Sequence, residues 1–238
     1  MKILAIDTSS NIATVALLED DKLIQEKHIN DSKTHSEKLM PLIDEILKTN
    51  KVALDDIDLF ACGVGPGSFT GVRIGVSTIK AFVDSTNKPY VAVSSFESLA
   101  CSALREYYKE EDFNEVCVLI DAKNDSCYFG SYYRPTDYTF TKVDEFEYLS
   151  NEEILSRLKN HHFPIIFIGD GANDLKYRIL EKYPKSIFAP EQFNDMNAEN
   201  VGICAYYKEK NNKAGNSDLL TPLYLRKSEA ERKRDGEN

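Results

Sequence analysis

The first thirty residues constrain the fold more than any other part of the chain. Lys2–Thr8 is apolar and β-branched. Two more runs of strand character, Ile12–Glu19 and Leu23–Ile29, come after short polar turns at Ser9–Asn11 and Asp20–Lys22. Strands joined by so few residues pair antiparallel, so the chain opens as a meander. Beyond Ile29, helices and strands alternate. The capping-box pattern Thr34-x-x-Glu37 starts a helix whose apolar positions Leu39, Leu42, Ile43, Ile46 and Leu47 recur at helical spacing. Pro41 falls inside it and is expected to bend it. Next come a strand over Ile57–Gly63, a glycine-rich turn, a helix from Ser68 to about Asp84, a strand over Pro89–Val93 and a helix from Ser95 to about Tyr108. Strand and helix in alternation imply parallel pairing, so this half predicts a mixed sheet.

The pattern then restarts. Ile6-Asp7-Thr8 is echoed by Ile120-Asp121-Ala122, each succeeded by a strand. Phe60-Ala-Cys-Gly63-Val-Gly65 is echoed by Phe167-Ile-Gly169-Asp-Gly171. A duplicated β-β-β-α-β-α unit produces such echoes, with a boundary in the charged stretch Lys109–Asn114. This gives an α/β chain of two parts, 1–110 and 111–238. A helix over Ala198–Lys210, a polar loop and a charged tail complete the second part.

Composition removes several function classes. The chain has 29 Lys+Arg against 39 Asp+Glu. That leaves too little positive charge for unaided binding of bare nucleic acid. No apolar run approaches the ~20 residues that span a bilayer, and the opening residues lack the apolar length of a secretory signal. The five cysteines are odd in number and form no Cys-x-x-Cys. They read as small buried hydrophobes of a protein in the reducing cytoplasm.

Candidate chemistry gathers at the turns. Gly63-x-Gly65-x-Gly67-Ser68 before a helix could cradle a phosphate on backbone N–H groups. It lacks the lysine of a P-loop, which favours the other reading, a tight turn with close helix packing. Asp7 and Ser9 could serve a metal-bound water or a phosphate, or simply close a β-turn. Gly169 and Gly171 could touch a nucleotide, or turn the chain into a helix capped by Asn173. His28, His35, His161 and His162 include no i, i+4 pair, so no metal site is predicted. No nucleophile–base pair is legible either.

The helix from Ser68 is apolar on two sides. Phe69, Val72, Val76, Ile79 and Val83 form the stripe expected to face the sheet. Thr70, Gly71, Ile74, Gly75, Thr78, Ala81 and Phe82 lie opposite, with Gly71 and Gly75 spaced to admit a second helix. The first helix also has an over-wide apolar arc, including Leu39, Leu42 and Ile46. We read the two helices as a docking surface, against the alternative that they cover only each other.

Several of these strings also carry a family resemblance. Ile-Leu-Ala-Ile-Asp-Thr-Ser (3–9), His35-Ser-Glu37, Gly65-Pro-Gly-Ser-Phe-Thr-Gly71-x-Arg73-Ile-Gly75 and Ser94-Ser-x-Glu97-x-Leu-Ala100 together resemble the TsaB (YeaZ) family. Asp121-Ala-Lys123, Gly169-Asp-Gly-Ala172 and Tyr224-Leu-Arg226 add to it. The resemblance implies an actin/Hsp70/sugar-kinase-like (ASKHA) fold of two RNase-H-like halves. It implies a partner subunit with no catalytic residue and no cofactor of its own. Such a subunit works with a TsaD-like catalytic subunit and a TsaE-like ATPase to place threonylcarbamoyl on the adenosine beside the anticodon of ANN-decoding tRNAs. ATP/ADP and metal would be used by the assembled complex, tRNA would bind through it, and a homodimer would form when the chain is free. The absence of the His-x-x-x-His metal pair carried by TsaD, and Ser9 where the fold's first phosphate hairpin has glycine, fit a non-catalytic role. Arg226 is the one basic residue of the tail expected to reach a partner or phosphate. The alternatives are an ASKHA-type small-molecule kinase using Asp7 or Asp121 and, more remotely, a peptidase.

Overall fold

The computed structural model describes residues 1–30, 35–107, 113–134, 138–158, 163–211, 220–226 and 234. The first half contains β1 (Lys2–Asp7), β2 (Ala13–Glu19), β3 (Lys22–Ile29), α1 (His35–Thr49), β4 (Leu59–Gly63), α2 (Phe69–Thr86), β5 (Tyr90–Val93) and α3 (Ser95–Tyr107). The second contains β6 (Glu115–Asp121), β7 (Ser126–Tyr133), β8 (Glu147–Ser150), α4 (Asn151–Arg157), β9 (Ile165–Ile168), α5 (Asp170–Lys182), β10 (Ile187–Phe188) and α6 (Ala198–Lys210). Thr34 of the expected capping box, His161, His162 and the tail from Lys227 to Lys233 lie outside the described residues.

Each half builds a five-stranded mixed sheet of one topology, β3-β2-β1-β4-β5 and β8-β7-β6-β9-β10. The meander strands pair antiparallel and the helix-linked strands parallel, as their connection lengths require. Asp7 and Asp121 are the last residues of the two central strands. The sequence did not reveal β8, α4 or β10, which are short.

Alternation along β1 assigns the layers. Leu4 and Ile6 face a core shared with Leu39, Ile43 and Ile46 of α1 and Val72, Val76 and Ile79 of α2. Ile3 and Ala5 face Val201, Cys204 and Ala205 of α6. The second sheet lies between α3, through Phe96, Leu99 and Ala103, and the pair α4 and α5. Thus α6, late in the chain, covers the first sheet, while α3 covers the second. Arg105 ties α3 to α6 through Glu199 at 2.7 Å and Asn200 at 3.0 Å. Residues 220–226 cross the junction of the halves. Leu220 is buried in the first core, the Leu223 N–H donates to Val64 O at 2.7 Å, and Arg226 Nη1 donates to Ala122 O at 3.0 Å.

Two local readings need correction. Helix α5 starts at Asp170 with Gly169 as its N-cap, so Asn173 sits inside the first turn and caps nothing. Register also changes the partner of Gly63. Ile6 stands opposite Cys62, and Val118 opposite Ile168. With Asp7 matched to Asp121, Leu4 matches Val118, so Phe60 corresponds to Ile168, and Gly169 already lies beyond the strand as the N-cap of α5 while Gly63 still ends β4.

Candidate functional site: two strand-end hairpins and a helical face

At the end of β1 the chain turns back on itself. Asp7 is fully buried, and its Oδ1 accepts from Ser9 N at 2.8 Å and Ser9 Oγ at 2.6 Å. This is an Asx turn of the kind the sequence allows. Its Oδ2 has no hydrogen-bond partner, and burial pushes the carboxyl above its ordinary value. The loop of residues 64–68 closes over the hairpin. Ser68 N donates to Ser9 O at 2.6 Å, and Gly67 lies so close that a Cβ there would overlap Ser9 O. A Cβ on Gly63 would overlap Asp7 Oδ2. Ser9 Oγ accepts from Ser95 Oγ at 3.2 Å and lies 3.1 Å from Met196 Sδ. The Asp7 carboxylate is therefore sealed from any cleft.

The second hairpin is open. Asp121 Oδ1 accepts from Lys123 N at 2.8 Å, and its Oδ2 pairs with Lys123 Nζ. Asp170 Oδ1 accepts from Asp121 N at 2.8 Å and Gly171 N at 2.9 Å. Burial pushes the Asp170 carboxyl up, against these backbone bonds. Gly169, at φ 107°, fits its backbone against Leu119 O, and Gly171 against Cys127 Sγ and Asp121 N. Both glycines serve close packing. A cleft of about 310 Å³ separates the hairpins, lined by Ser9–Asn11, Gly67, Ser68, Asp121, Lys123 and Asp170 among others. Two carboxylates against one ammonium give it the wrong sign for a polyphosphate, and the Ser9 side chain, turned back to Asp7, presents no donor there. These residues offer no complementary charge to a nucleotide phosphate group bound without a cation. Among the described residues, no group of three or more His, Cys, Asp and Glu could hold a metal ion.

The helical face needs a larger correction. Gly71 and Gly75 point inward: a Cβ on Gly71 would overlap Thr8 O, and one on Gly75 would lie 2.5 Å from Thr8 Oγ1. They admit the β1 hairpin, whose Thr8 Oγ1 donates to Gly71 O at 2.7 Å, rather than a second helix. Leu39 and Ile46 are buried in the first core, as is Phe82. Leu42, Thr70, Ile74 and Thr78 stay at least partly exposed, beside Met40 at 50 % exposure. Arg226 turns inward, onto Ala122 O and the ring of Tyr148 at 4.7 Å. Sequence reasoning missed the cluster at the start of α2. Phe69 stacks on Tyr224 with ring centroids 4.6 Å apart, and Arg73 Nε donates to Tyr224 OH at 2.8 Å. The pairing spans some 150 residues, and no local pattern signals it.

Two sheets of one mixed topology, with strand-end hairpins facing across a cleft, define the ASKHA class. A hexokinase of the ROK family from Thermus thermophilus has this fold at TM-score 0.54 and 10% identity, covering 89% of this chain and 100% of that one. The family model described as TsaD, tRNA N6-adenosine threonylcarbamoyltransferase, matches residues 23–234. Within that breadth the chain belongs to the TsaB (YeaZ) family. It is 32% identical over 236 residues to the tRNA threonylcarbamoyladenosine biosynthesis protein TsaB of Bacillus subtilis, covering 98% of this chain and 97% of that protein. The solved structure of an uncharacterized protein similar to peptidase YeaZ from Pseudomonas aeruginosa superposes at TM-score 0.76 with 25% identity, covering 94% and 99% of the two chains.

Proposed function

We propose that this chain acts in tRNA threonylcarbamoyladenosine biosynthesis as a partner subunit without a catalytic site of its own. It docks on a TsaD-like catalytic subunit and holds it in a competent state. The family supports the pathway. The observation that carries the non-catalytic role is the sealed first hairpin, where Asp7 is fully buried, bonded to Ser9 and closed over by Gly63. Nucleotide, metal, tRNA and a TsaE-like ATPase then belong to the assembled complex. The exposed ridge of α1 and α2, with Met40, Leu42, Ile74 and Thr78, supplies the docking face, and a free chain covers it by forming a homodimer.

The test is a titration of the TsaD-like subunit, then reconstituted tRNA modification. Ile74→Glu places a charge on the ridge at a half-buried side chain that also packs on the edge of the first core, and lowers affinity at least about tenfold, or ~1.4 kcal/mol. Modification falls in step. Gly75→Leu, in contrast, acts as an overpacked core substitution and lowers thermal stability first. Unchanged affinity in the folded Ile74→Glu variant sinks the docking face. Loss of modification in Asp7→Asn, with the heterodimer intact, sinks the non-catalytic role.

A further inference from the structure

Arg73 stands at the edge of the α2 ridge, exposed to solvent and yet fixed in place. We propose that its guanidinium anchors a carboxylate side chain, Asp or Glu, of the catalytic partner subunit. The proposal rests on the docking role given to the ridge above.

At ~100° per residue, Arg73 and Ser77 lie beside Thr70, Ile74 and Thr78 on one side of α2. The Arg73 guanidinium carbon is 3.9 Å from the centre of the Phe69 ring and 5.7 Å from that of Tyr224. Its Nε donates to Tyr224 OH at 2.8 Å. The two rings stack on each other, and the chain beside Tyr224 is itself held, through Leu223 N–H on Val64 O at 2.7 Å and the buried Leu220. A free surface arginine samples many rotamers, and losing them opposes binding. Here the fold has already restricted them. Only Nε is committed. The two Nη groups have no hydrogen-bond or ion-pair partner among the described residues. An ordered fork of donors is thus left open at the rim of an otherwise uncharged ridge.

The surroundings choose its ligand. A carboxylate takes two parallel bonds from a guanidinium, and such a pair gains strength as the ridge closes and water leaves. Thr70, Ile74 and Thr78 bring no second cation to the site. A nucleic-acid backbone calls for several cations in a row, and this chain carries a formal charge of -10. One guanidinium with aromatic support matches a single carboxylate better, and Arg and aromatic side chains are the types on which binding energy concentrates.

The experiment titrates the TsaD-like subunit with the whole chain at low and at high salt, following thermal unfolding of each variant alongside. Arg73→Gln should weaken binding at least tenfold at low salt and flatten its salt dependence. Arg73→Lys keeps a cation over the Phe69 ring but loses the fork, so it should recover only part of the affinity; it also serves as the test where Arg73→Gln unfolds early. Tyr224→Phe keeps the stack and removes the acceptor for Nε. As a change to a positioning residue, it should weaken binding a few-fold and leave the salt dependence as it was. Alanine substitution of the partner's exposed Asp and Glu residues, one at a time, should find a position whose loss adds nothing once Arg73 is Gln. The proposal is overturned by unchanged affinity in folded Arg73→Gln, by the absence of any such position, or by a loss confined to tRNA binding by the assembled complex, which would make a phosphate the occupant. If Ile74→Glu weakens docking and Arg73→Gln does not, the anchor alone falls; if neither weakens it, the docking face falls too.

Discussion

Asp7 and Asp121 end the same central strand in the two halves, yet one is sealed and the other faces a cleft. The strand-to-helix connection makes the difference. Five residues, Val64–Ser68, separate β4 from α2, enough to fold back over the first hairpin and bond Ser9. Gly169 alone separates β9 from α5, and one residue covers nothing. The second hairpin is held instead by Lys123 and by three successive left-handed residues, Lys123, Asn124 and Asp125. A repeated topology thus fixes where a strand ends, while the adjoining loop decides whether the carboxylate at that end can meet a ligand.

The largest expected effect tests that closure. Gly63→Ala drives a Cβ into the enclosed Asp7 carboxylate, whereas Gly171→Ala makes a less severe approach, to Cys127 Sγ at 2.7 Å and to Asp121 N and Leu119 O at 3.1 Å. Urea unfolding should show a loss near or above the top of the usual ~1–3 kcal/mol for the first, and about half of it for the second. Equal losses would break the contrast between the halves.

The next effect is one of pH. The folded state raises the Asp7 carboxyl above its unfolded value, so folding favours the protonated form. The stability it contributes is present below the unfolded value, near pH 4, and is lost as pH rises through the folded one. Asp7→Asn keeps the acceptor for Ser9 and removes this loss. Its stability relative to the parent chain should therefore climb from about pH 4 towards neutrality. A flat or falling difference in denaturation series would show that the carboxylate is not sealed.

The smallest effect concerns the helix starts. Ser68 Oγ accepts from Gly71 N at 3.2 Å as the N-cap of α2, while α5 begins without a side-chain cap. Ser68→Ala should lower the melting temperature by an amount corresponding to about 1 kcal/mol. Because the loop also bonds Ser9 through the Ser68 backbone, which the substitution leaves in place, exchange of the Ser68 amide, whose N–H donates to Ser9 O, should barely change. Rapid exchange there would make the side chain, rather than the backbone, the latch.

Much of this fold was legible. Short polar turns between apolar runs announced the meander, and the Ile-Asp echo placed two equivalent strand ends. Periodicity along α2 put Val72, Val76 and Ile79 in the core. It misjudged the opposite side, because a helix wheel carries no information about what a glycine faces. Gly71 and Gly75 looked like a groove for a partner helix and are filled by Thr8. The short elements β8, α4 and β10 escaped because four to seven residues, or two, give too few repeats to establish a period.

The sequence by itself determined the opening meander, the mixed pairing of the first half, the duplicated plan and the family, since each arises from local patterns and connection lengths. Tertiary structure decided which surfaces remain free. Only folding brings Ser9 beside Ser95 and Met196, Tyr224 beside Phe69 and Arg73, and α6 onto the first sheet. These contacts join residues some 90 to 190 positions apart. Burial there depends on how whole layers meet, a property that no window along the chain contains.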